Sequence, residues 1–137
     1  MKIKTLLGRK ECAGCDDFCC KFEKSGRDAA PIFLPEERAL VSREADGQGF
    51  LKPFKKTDAS QIVLRKGGEK EYFCPFFMKE KRLCSIQEKK PFDCLFFPFA
   101  FMRGKKGGVY IACFNKKICP GLAKLKEGQF EKYVEYL

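Results

Sequence analysis

Four cysteines fall within nine residues near the start of the chain, Cys12, Cys15, Cys19 and Cys20 in E-C-A-G-C-D-D-F-C-C, and the last two are adjacent. Five more follow at Cys74, Cys84, Cys94, Cys113 and Cys119, and none of the 137 residues is histidine. Thiolates are soft ligands that suit zinc and iron–sulfur clusters, and the lack of histidine excludes the common mixed zinc sites. What remains is all-cysteine coordination, with a carboxylate as the one other donor. Zinc and iron both accept four thiolates in similar geometry, so ligand type leaves the metal open. Phenylalanines near these thiols (Phe18, Phe73, Phe76, Phe92, Phe96) suit the dry shell of an iron–sulfur cluster and serve equally well as plain core.

Adjacent residues point apart, by about 100° around a helix or to opposite faces of a strand. Cys19 and Cys20 are therefore expected to serve different sites. If the segment is helical, Cys12, Cys15 and Cys19 share one face and one site with a distal cysteine. Cys20 then joins the remaining distal cysteines in a second site.

An odd number of thiols fits a disulfide framework poorly, and a reducing cytosol favours metal over disulfides. The first thirty residues do not have the form of a signal peptide, and the longest apolar run, Leu95 to Met102, is too short to span a bilayer. A soluble, cytoplasmic protein without a membrane partner is expected. Twenty-eight Lys and Arg against eighteen Asp and Glu give a net charge of +10. The basic residues come in pairs along the chain (Lys55-Lys56, Arg65-Lys66, Lys89-Lys90, Lys105-Lys106, Lys116-Lys117) with acids interleaved, which reads as a solvated surface. Nucleic acid is therefore not the expected partner.

The elements that must position these thiols are short. Pro35, Glu36 and Glu37 open a helix expected over Pro35–Ala45, ended by the glycines of D-G-Q-G. Phe50 to Ser60 reads as a polar loop. Gln61–Arg65 and Lys70–Pro75 read as a hairpin around K-G-G-E, and Cys94–Arg103 and Val109–Phe114 as a second, with Pro98 forcing an edge or a bulge. Phe130, Tyr133, Val134 and Leu137 recur at helical spacing, so an amphipathic helix closes the chain. The expected fold is α+β: a small single cysteine-rich domain over residues 1–137, with short antiparallel hairpins and two or three helices organised around metal sites.

The cysteine contexts C-A-G-C-D-D-F-C-C, C-P-F at Cys74, C-S-I at Cys84, K-P-F-D-C-L-F-F-P-F around Cys94 and C-P-G at Cys119 resemble those of the CxxCxxCC, or YkgJ-type, cysteine cluster family of zinc- or iron-chelating proteins. The resemblance runs from Cys12 to Cys119. It implies eight metal ligands, Cys12, Cys15, Cys19, Cys20, Cys74, Cys84, Cys94 and Cys119, with Cys113 outside the pattern. The chain departs from the family in having three residues between Cys15 and Cys19, and in Lys90-Pro91 where the family often has Arg-Pro. The family is similar to a domain of flagellin lysine methylases, and its members are often labelled iron–sulfur oxidoreductases. This implies metal capacity ahead of any named reaction.

Cys113 alternates with Val109 and Ile111, as a core thiol on a strand does. Asp16, Asp17 and Asp93 flank ligands, but acids in such places are expected to be exposed or to cap backbone. Phe96, Phe97, Phe99 and Phe101 read as core. No nucleoside-binding glycine motif and no His, Ser or paired-acid arrangement names a substrate, so enzyme activity stays open between an oxidoreductase and an accessory to protein modification. The expected function is that of an iron–sulfur protein, most simply with [4Fe–4S] clusters, that transfers electrons or supports a redox or modification step with a protein partner. The alternative is a zinc-binding structural or protein-interaction module.

Overall fold

Helix α1 (Arg9–Cys12) is a single turn held at its start by Glu11, whose carboxylate accepts the Gly8 N–H at 2.8 Å. The structure is a computed structural model and describes residues 3–12, 20–45, 47–114 and 119–137. Strand β1 (Lys21–Glu23) leads into a 3-10 segment over Lys24–Ala29 and then β2 (Ile32–Phe33). Helix α2 (Pro35–Leu40) starts where proline's fixed φ favours it, and Glu37 reaches back to accept the Leu34 N–H at 2.8 Å. The expected single helix is interrupted: Val41, at φ −111° and ψ 15°, separates α2 from α3 (Ser42–Ala45). Val41 is fully buried, so the break coincides with a core contact. Gly47 then turns the chain at φ +78°, a conformation that costs glycine little.

The expected polar loop after Phe50 is instead half strand. β3 (Leu51–Pro53) pairs with β4 (Ser60–Ile62), and β4 also pairs with β2, giving an antiparallel sheet of order β2-β4-β3. β4 is its centre and is buried throughout, with the Gln61 side-chain amide donating to the Asp28 and Ala30 carbonyls at 3.1 and 3.0 Å. The expected hairpin is divided by this pairing. Ser60–Ile62 belongs to the first sheet, and only β5 (Arg65–Lys66) pairs across the glycine turn with β6 (Glu71–Phe73). A Cβ at Gly67 in that turn would run into the Phe73 ring, so any other residue requires that ring to move. β6 pairs on its other side with β1, in the register Lys21↔Phe73 and Glu23↔Glu71.

β7 (Phe77–Met78) and β8 (Leu83–Cys84) form a short antiparallel pair. The next correction concerns Cys94, expected at the start of a strand but found in helix α4 (Phe92–Phe96). Pro91 precedes that helix in extended geometry, its carbonyl accepts the Cys94 and Leu95 N–H groups, both at 3.0 Å, and the strand proper begins only after Pro98. β9 (Phe99–Arg103) and β10 (Val109–Cys113) form the expected hairpin, closed by Gly104 N–H to the Gly108 carbonyl at 2.7 Å. A 3-10 turn over Pro120–Lys124 and helix α5 (Gln129–Tyr136) complete the chain. On α5, Tyr133 is buried and Phe130 half-buried, whereas Val134 and Leu137 are exposed, so half of the expected apolar stripe meets the core.

The architecture is α+β, with mixed helices and short antiparallel sheets around two apolar cores. The first is built on Phe33, Val41, Ala45, Ile62, Cys74, Phe76 and Ile86. The second is built on Leu6, Phe96, Phe99 and Tyr133. Among the described residues no helix is long and apolar enough to cross a membrane.

Candidate metal centre

Cys74 is a buried member of the first core, and Cys20 and Cys84 pack against that core half-buried. Chain pairing brings Cys20 to the other two from far away in sequence. The β1–β6 register, continued one step beyond Lys21↔Phe73, sets Cys20 opposite Cys74, and the Cys74 N–H donates to the Cys20 carbonyl at 2.8 Å. Directly opposed residues of an antiparallel pair put their side chains on the same face, with Cβ atoms about 5 Å apart. After Cys74, Pro75 forms part of a turn in which the Phe77 N–H donates to the Cys74 carbonyl at 3.0 Å. Phe77 in turn pairs with Cys84 in the β7–β8 ladder. Three thiols thus border one apolar volume shared with Phe76, which meets Phe33 at 6.2 Å and Phe50 edge-on at 5.4 Å between ring centroids.

The other group gathers around Leu7. Cys119 is buried and precedes the 3-10 turn that packs on α1. Gly121 of that turn faces the Glu11 carbonyl and the Leu7 side chain, each 3.5 Å from where a Cβ would stand, and Lys124 donates to the same carbonyl at 3.4 Å. Cys12, whose backbone ends α1, is the next residue along. Leu7 also lines a cavity of about 410 Å³ together with Thr5, Gly8, Lys90 and Cys94.

Six of the eight expected ligands divide by position: Cys20, Cys74 and Cys84 at the first core, and Cys94, Cys119 and the backbone of Cys12 beside the second. Cys15 and Cys19, with Asp16 and Asp17, lie outside the described residues. Two distal cysteines rather than one fall on the Cys12 side, because α1 docks against the Cys119 turn while β1 carries Cys20 to β6. Among the described residues, no three Cys, Asp or Glu side chains converge tightly enough to hold a metal ion. The donors that the two groups offer are sulfur alone, which fits zinc or an iron–sulfur cluster and no hard cation.

Asp93, next to Cys94, accepts the Ile32 N–H at 3.0 Å. Desolvation raises its carboxyl above the usual range, the Ile32 bond opposes that, and the charge of Glu37 adds to the rise. Glu37 itself accepts the Phe92 N–H at 2.7 Å. The two carboxylates form a reciprocal clamp, α2 holding the start of α4 and α4 holding β2, and so fix the helix that carries Cys94. Sequence places Glu37 at the start of α2, and its spacing of three from Leu34 signals the cap but not the second, long-range partner.

Cys113 corrects the sequence reading. It is exposed, as are Val109 and Ile111 on the same strand, and its Sγ donates to the Phe114 carbonyl at 3.3 Å. Partial desolvation holds the thiol above its ordinary range, the direction opposite to a reactive thiolate. Strand alternation mimics a core face here because, among the described residues, β9–β10 is a two-stranded sheet covered by little beyond its base. Of the phenylalanine run, Phe96 and Phe99 are buried, Phe97 is half-buried and Phe101 is exposed.

No family model, curated protein or solved structure matches the chain.

Proposed function

We propose that the chain is a cysteine-ligated iron–sulfur protein of [4Fe–4S] type that transfers electrons to, or supports a redox or modification step on, another protein. The observation that carries this reading is the gathering of Cys74 and Cys84 with the sequence-distant Cys20 at one aromatic core, in a chain without histidine. Clustered thiols exceed what packing needs, since a buried cysteine is otherwise only a small hydrophobe. The resemblance to the CxxCxxCC family, resting on the motifs themselves, supports the same ligand set. Cys20, Cys74 and Cys84 form one site and Cys12, Cys94 and Cys119 the other, each completed by one of Cys15 and Cys19. Adjacent Cys19 and Cys20 then serve different sites because their side chains diverge.

A bound cluster supplies one-electron redox chemistry. The chain's own residues contribute thiolate ligands, a dry shell from Phe76 and its ring neighbours, and backbone rigidity from Pro75 and Pro120, which offer no N–H beside the ligand.

Purification without oxygen, with iron, sulfide and zinc measured together and a visible spectrum recorded, tests this. A brown protein with iron and sulfide in equal amounts is the expected result. A colourless protein with stoichiometric zinc would instead establish the structural, protein-interaction reading.

A further inference from the structure

From Cys94 to Lys126 the chain carries seven Lys and Arg and no Asp or Glu, so this stretch supplies most of the net charge of +10. The β9–β10 hairpin lies within it and is apolar on both faces. In the register Ile111↔Phe101 and Tyr110↔Met102, one face carries Phe101, Val109 and Ile111, and the other Met102 and Tyr110. All five are 45–66% exposed. Arg103, Lys105 and Lys106 cap this apolar finger at its turn. Its base is anchored by Phe99 in the second core, by Phe114 N–H to the Pro98 carbonyl at 2.9 Å and by the Phe97–Phe114 stack at 5.6 Å, so the finger is held in place before anything covers it. Among the described residues each strand of this two-stranded sheet has one partner, which leaves a ladder edge on either side.

We infer that the β9–β10 hairpin is a docking element for a protein partner whose surface offers an apolar groove bordered by carboxylates. A contiguous apolar surface of this kind marks an interaction site, and the cationic turn selects an acidic rim. Three other occupants fit less well. Lysines at the tip oppose insertion into hydrocarbon. Phe101 and Tyr110 lie on opposite faces, so they cannot form one stacking platform for single-stranded nucleic acid, and the aliphatic residues gain nothing from phosphates. A second copy would bring like charges together. The inference rests on the reading that this chain works with another protein and is independent of which metal it holds.

A photo-crosslinking residue at position 110 in the full chain, compared with one at exposed Leu40 on α2, identifies what covers the hairpin in the producing cells. The expected adduct is specific to position 110 and contains a protein of net negative charge. That protein, purified and titrated against the full chain, should bind with a Kd that weakens at least tenfold for Lys105→Glu with Lys106→Glu and for Tyr110→Ser with Ile111→Ser. The Lys105→Arg, Lys106→Arg pair should bind normally. Metal content and near-ultraviolet dichroism should be unchanged in all of them. No adduct above the position 40 control, an adduct with a second copy, or partner binding indifferent to these variants overturns the proposal. So does hairpin-dependent binding to phosphatidylglycerol vesicles or polyuridylate in place of a protein. Intact docking by protein that purifies without oxygen and yet holds no iron or sulfide would fail the iron–sulfur reading alone, whereas lost docking in a fully metallated variant would support this one.

Discussion

The two cores bury similar apolar groups but use cysteine differently. In the first, Cys74 is itself a core residue, with Cys20 and Cys84 against it, and the surrounding strands are two or three residues long. In the second, among the described residues, no cysteine belongs to the cluster. Phe96 stacks on Phe92 at 5.2 Å and Phe101 at 4.9 Å, and Phe99 stacks on Phe130 at 5.9 Å and Tyr133 at 5.6 Å. Such short strands hold little by themselves, so on the proposed reading the first core depends on metal at its thiols, whereas the second is held chiefly by rings. On the proposed reading the first core leans on metal within it, whereas the second has its thiols at the margin and leans more on aromatic stacking.

The largest effect should come from the metal itself. Stripping it, or substituting Cys74→Ser, should destabilise the first core by more than about 3 kcal/mol and erase cooperative unfolding there. Hydrogen exchange at β4 and β6 should accelerate far more than at α5. Equal acceleration in both cores would erase the distinction between them, and unchanged exchange everywhere would remove the metal from the stability of the fold.

Phe96→Ala is the converse probe. Removing a buried ring that meets three others should cost about 3–5 kcal/mol while leaving any metal of the first core in place, as read by denaturant unfolding and metal content. Release of all the metal would show that the two cores are one unit.

Glu37→Ala removes the acceptor for the Leu34 and Phe92 N–H groups together. A loss of about 1–3 kcal/mol is expected, with faster metal release from the Cys94 side than from the Cys74 side in a chelator competition. Release at equal rates would mean that the clamp does not position Cys94.

A smaller effect distinguishes the second core by pH. The Tyr133 hydroxyl donates to the Lys4 carbonyl at 2.5 Å, and desolvation, with Tyr136 nearby, raises its pKa. The neutral hydroxyl is the form the fold favours. Its contribution is therefore complete below the unfolded tyrosine value of about 10 and is lost as pH rises through the folded one. Tyr133→Phe should cost about 0.5–1.5 kcal/mol at neutral pH and flatten the decline above about pH 10. An identical alkaline decline in the variant would place its origin elsewhere.

The smallest change is expected at Cys113. Exposed, and outside both cores, its replacement by serine should alter stability by less than about 0.5 kcal/mol and leave metal content intact. Loss of a metal site on Cys113→Ser would mean that the ligand set is misassigned.

Sequence alone determined the features whose causes are local. Pro35 starts α2 because proline's φ is already helical, Gly104 to Gly108 turn the second hairpin, and the ring spacing of Phe130 and Tyr133 seats α5. The soft-donor chemistry is equally legible, since it follows from nine thiols and no imidazole. What only tertiary structure decided are the pairings between distant segments. Nothing near Ser60 says that it will pair with Ile32–Phe33 and Leu51–Pro53, and not with Glu71–Phe73. Nothing near Cys20 says that Cys74 will lie opposite it, although that register decides which thiols can share a ligand. Period-two alternation in Val109–Cys113 is the same whether a strand is covered or bare, so Cys113 could be read as core until the absence of a covering layer among the described residues exposed it. Burial depends on which segments pack over a strand, and strands this short carry too few side chains to specify that partner by themselves.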